Sequence, residues 1–65
     1  PSESEAIAQE LQALLNETDA DVIDQQLDSL AARAEKAGAM DELDGLLNQV
    51  ADRLTDLIEQ EDENA

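Results

Sequence analysis

Ala34-Glu35-Lys36-Ala37-Gly38-Ala39-Met40-Asp41-Glu42-Leu43 is the stretch on which the fold turns. Upstream of it, Ile23, Leu27, Leu30, Ala34 and Ala37 repeat at a 4-3-4-3 spacing. Downstream, Leu43, Leu47, Val50, Leu54 and Leu57 do the same. Each set is a coiled-coil-like seam along one helix face. Carrying the first seam forward would place Asp41 and Asp44 at core positions, where an unpaired charge is costly. The register therefore resets between Ala37 and Leu43. Gly38 stands where a helix C′ residue belongs and Asp41 can cap the next helix, so the spacing predicts a tight turn at 38–41.

Working toward the N-terminus, Ser2-Glu3-Ser4-Glu5 reads as a capping box, and Ile7, Leu11, Leu14 and Leu15 mark one helical face. Asn16 can take the left-handed conformation that ends a helix, and Thr18-Asp19-Ala20-Asp21 supplies a new start. The expected architecture is all-α, a short N-terminal helix followed by a helical hairpin. The helices fall at about 3–15, 19–37 and 42–60, with a frayed acidic tail at 61–65. One small domain covers 1–65. Gly45, in the first turn of the third helix, is read as the mark of a close helix approach. Leu46, Ala51 and Ile58 flank the third seam and widen it beyond what one neighbour covers, so either the first helix or a second copy of the chain must take up the surplus. A closed monomeric bundle answers the first; self-association of the three-helix unit, as a homodimer, into a larger bundle is the favoured expectation. Size favours it too, since a chain of 65 residues with no cysteine has few other ways to stabilise itself.

Charge is the main functional signal. Asp and Glu number 18 against three bases, a net charge of -15, and there is no His, Cys, Phe, Tyr or Trp. Residues 39–65 hold nine of the acids and only Arg53 among the bases. Direct nucleic-acid binding is excluded by phosphate repulsion and by the lack of stacking aromatics, and anionic membranes are disfavoured likewise. No apolar run is long enough for a transmembrane helix and no leader is evident, so the expectation is cytoplasmic. The Asn16-Glu17-Thr18 sequon has no secretory signal to give it meaning.

Catalysis through His or Cys is ruled out by composition, no Gly-rich phosphate loop exists, and carboxylate pairs such as Asp52 and Asp56 need a cleft to become acid–base groups. The expected protein is not an enzyme and takes no cofactor or metal. Asp19-Ala20-Asp21-Val22-Ile23-Asp24 falls short of a calcium loop: Asp24 stands at position six, where Gly is needed, and Leu30 at position twelve, where Glu is needed.

Asp28-Ser29-Leu30 resembles the tripeptide around the prosthetic-group serine of acyl carrier proteins, which are also small, acidic and helical. That resemblance covers three residues and implies a carrier modified at Ser29, although the family's serine opens a helix and Ser29 falls inside one. The abundance of Asp over Lys resembles proteins of salt-adapted organisms and implies an assembly subunit whose acidity suits its solvent. A small acidic helical chain is also similar to DNA-mimic inhibitors.

The reading that weighs most is a non-enzymatic interaction protein, an inhibitor or adaptor for a basic protein partner, such as one that itself binds nucleic acid. Leu46, Asp52, Asp56, Ile58, Glu59 and Glu61 are its expected contact residues.

Overall fold

The computed structural model describes residues 2–64, with side chains through residue 61. It is all-helical: α1 spans Glu3–Leu14, α2 Ala20–Lys36 and α3 Met40–Asn64. The three pack on one another in every pairwise combination, so α1 docks within its own chain and closes a three-helix bundle.

Each start has a local cause. Ser2 caps α1, its Oγ accepting from the Glu5 amide at 3.3 Å and lying 3.1 Å from Ser4 Oγ; among the described bonds Glu5 does not reach back to the Ser2 amide, so only half of the expected capping box is formed. Asp19 caps α2, its Oδ1 accepting from the Asp21 amide at 3.0 Å. These bonds satisfy amides that the first helical turn leaves without partners.

The first helix ends differently from expectation. No described non-glycine residue has a positive φ, so Asn16 is not left-handed. Instead the chain tightens into i→i−3 bonds, with the amides of Leu15, Asn16 and Glu17 donating to Gln12, Ala13 and Leu14 at 3.1 Å each. That arrangement satisfies the terminal carbonyls without any αL residue.

The second turn forms around Gly38, at φ 69°. The Ala39 amide donates to the Ala34 carbonyl at 2.9 Å and the Gly38 amide to the Glu35 carbonyl at 3.1 Å, the two bonds of a Schellman motif. The turn is shorter than 38–41. Ala39 already gives its carbonyl to the Leu43 amide at 2.9 Å, so it occupies the N-cap position of α3. Asp41 is therefore not the cap; with Glu42 it lies in the first turn, where the helix dipole favours acids. At the far end α3 runs through Asn64, past the end expected near residue 60, since no Gly or Pro follows Gly45 to interrupt the ladder. Residue 65 lies outside the described residues.

Ile7, Leu11, Leu14, Ile23, Leu30, Ala34, Ala39, Leu43, Leu47 and Val50 form one continuous core. Both seams are recovered with one exception. Ala37, expected to close the α2 seam, is exposed, because it sits in the C-cap turn where the chain leaves the helix. Leu27, Leu46, Leu54 and Leu57 pack around the core half-buried.

Gly45 marks no close approach: it is exposed, and beyond its chain neighbours and its own helix backbone nothing lies within 4 Å of where a Cβ would stand. Gly45→Ala is thus expected to stabilise the fold by about 0.5–1 kcal/mol through backbone entropy alone. Urea denaturation would show this as a higher midpoint at unchanged slope.

Candidate functional site

The outer face of α3 is built by helical spacing. Asp52, Asp56 and Glu59 stand at i, i+4 and i+7, on the side away from the buried Leu43, Leu47 and Val50, and all three are exposed. From Asp52 to Glu59 the helix rises about 10 Å. Acids four residues apart on one face destabilise a helix by a few tenths of a kcal/mol, so this row does not serve local stability.

Both arginines are engaged elsewhere. Arg53, on α3 itself, does not pair with Asp56 as its spacing allows; its Nε donates to the Glu17 carbonyl at 3.0 Å and ties the α1–α2 connection to α3. Arg33 on α2 bridges to α1, with Nη2 2.8 Å from Glu3 Oε1 and Nη1 2.8 Å from Glu10 Oε2. The hydrogen bonds that Arg33 donates to Glu3 and then to Glu10 raise the guanidinium pKa above its ordinary value. These pairs are more than a third exposed, so they contribute orientation more than stability. Lys36 is exposed one turn further along α2. Among the described residues, no base forms an ion pair with Asp52, Asp56, Glu59 or Glu61.

The six expected contact residues do not form one patch. Asp52, Asp56 and Glu59 share the outer face. Ile58, 47% exposed, and Glu61 lie toward the C-terminal end, three residues apart on a different face. Leu46 is half-buried against the core and stands about 18 Å along the helix from Ile58.

Two contacts escaped the sequence reading. The Arg33 bridge had a signal, because Glu3 and Glu10 are seven residues apart and so share a face of α1. The Arg53–Glu17 bond had none, since its acceptor is a backbone carbonyl in a connection.

No described polar or charged side chain is buried, and among the described residues no group of carboxylates gathers at metal-binding distance. Ser29 lies ten residues into α2, exposed, on an open depression shared with Ala32, Arg33, Glu35 and Lys36. Arg33, already held by Glu3 and Glu10, follows Ser29 by one turn, and Lys36 follows it by two, about 10 Å along the axis. Among the described residues, no helix is long and apolar enough to cross a membrane. Comparison with protein-family models, curated proteins and solved structures finds no match for the chain.

Proposed function

We propose that the chain is a non-enzymatic acidic binding module, acting in the cytoplasm, that lays the C-terminal half of α3 on a basic protein surface as an inhibitor or adaptor. The observation carrying this reading is the row Asp52, Asp56 and Glu59, exposed on one face while the adjacent Arg53 points inward. Charge of one sign concentrated on a surface speeds encounter with an opposite partner and fixes orientation.

Density favours a partner whose own ligand is a nucleic acid. A net charge of -15 over a length of 41 Å is one charge per about 2.7 Å, against about 1.7 Å along B-DNA. A cleft evolved for phosphates would meet a comparable field here. The test is titration of poly-L-lysine and of basic DNA-binding proteins with the wild-type chain and with the combined variant Asp52→Asn, Asp56→Asn, Glu59→Gln, Glu61→Gln. Affinity should fall about tenfold or more, with a shallower salt dependence. An unchanged affinity for every basic probe overturns the reading.

A second reading, an assembly subunit from a salt-adapted source, draws on the exposed Val22, Met40 and Ile58, which could serve as a seam between copies. It differs in what salt does. Under it, mutual repulsion of the acids leaves the chain unfolded until molar salt screens them; under the first, circular dichroism shows full helicity at low ionic strength.

A further inference from the structure

The α3 seam outruns the bundle. A three-residue turn joins α2 to α3, so the end of α2 is level with the start of α3. Their 17 and 25 residues correspond to about 25 and 37 Å, which leaves the last two turns of α3 with no facing turn of α2. The Arg53–Glu17 bond places the α1–α2 connection beside Arg53, one turn before that overhang. Along the seam, burial fades in step: Val50 is buried, Leu54 and Leu57 are half-buried, and Ile58 beside them is exposed. The next seam position, four residues after Leu57, is Glu61.

A carboxylate at a core-type position selects what can pack there, as polar residues in coiled-coil seams select partners. A second copy would bring its own Glu61 and a further charge of -15 against an already acidic end. A basic helix would bring the complementary charge. Leu54, Leu57 and Ile58 stand at i, i+3 and i+4, the spacing by which one helix receives the apolar face of another.

We infer that the overhanging end of α3 receives a basic amphipathic helix, whose apolar side covers Leu54, Leu57 and Ile58 and whose Lys or Arg meets Glu61. This rests on the proposed acidic-docking function and names its partner class. The covered strip is about two turns long, so affinity for an isolated peptide falls in the micromolar range.

The experiment titrates the full chain with a labelled Lys/Leu peptide of about 18 residues, five helical turns, with Leu at three- and four-residue spacing. A scrambled peptide of the same composition serves as comparison, and fluorescence anisotropy reports binding. The amphipathic peptide should bind about tenfold or more tightly than the scramble. Ile58→Gln, at an exposed position that leaves the helical dichroism intact, should erase that advantage, and Glu61→Lys should weaken binding further. Equal affinity for the two peptides overturns this seat while leaving the charged-face reading standing. Failure of both to bind overturns both. A dimer of the chain alone that dissociates in the Ile58→Gln variant assigns the seat to a second copy and overturns the inference.

Discussion

Leu30→Ala is expected to destabilise the bundle by about 2–5 kcal/mol, a drop in melting temperature of about 10 °C or more for a domain of this size. Leu30 is 1% exposed and belongs to the cluster shared by all three helices, so truncation removes apolar contact and leaves a cavity that rigid helices close only in part. Val22→Ala, on the same helix at an exposed position, is the control and should fall within about 0.5 kcal/mol. Thermal denaturation monitored by circular dichroism measures both. Similar melting temperatures for the two variants would mean that α2 does not pack as the structure has it.

Gly38→Val carries the second large effect. At φ 69° a residue with a Cβ incurs about 1–2 kcal/mol, and a β-branched side chain is rarer still in that region. Crowding by other parts of the fold is not the cause, because nothing beyond the glycine's own chain neighbours lies within 4 Å of the Cβ position. The penalty is conformational and acts on the two Schellman bonds that close α2. Gly38→Asn should therefore lose less than Gly38→Val, since Asn tolerates the left-handed region. Urea midpoints in the order wild type, Asn, Val are the expected result. Equal midpoints for the two variants would show that steric space, not φ, controls the position.

Much of this architecture was legible because it rests on periodicity and on glycine. The 4-3-4-3 seams and the misplaced Asp41 and Asp44 forced a turn near Gly38, and the turn is there. Asp19 was legible as part of a start signal, being a short acceptor before a helical pattern. What could not be read depended on geometry beyond the local pattern. Asn16 permits a left-handed end but does not require one, and i→i−3 bonds achieved the same satisfaction of carbonyls. Ala39 serves as both the residue after α2's glycine and the N-cap of α3, so the turn needed no capping side chain and Asp41 moved inside the helix. Gly45 signals a close approach only if another helix lies opposite, and its face turns outward.

The candidate site was legible as charge but not as shape. The sequence located the acids in residues 39–65, yet Leu46 and Ile58 proved to belong to different parts of the helix. Leu46 packs on the core at the level of the bundle, whereas Ile58 lies where α3 outruns α2. That distinction comes from the unequal lengths of the helices, which apolar spacing alone does not reveal. Arg53 illustrates the same point: its three-residue spacing permits a pair with Asp56 along the helix, and the fold offers it a carbonyl instead.

The proposed docking is decided by whether, and where, a positively charged protein lands on this molecule. Amide chemical shifts of the isotope-labelled chain, recorded while a basic DNA-binding protein is added, should move between Asp52 and Glu61 and stay still around Arg33 and Lys36. Movement confined to the α1–α2 side, with the end of α3 unaffected, would contradict the account.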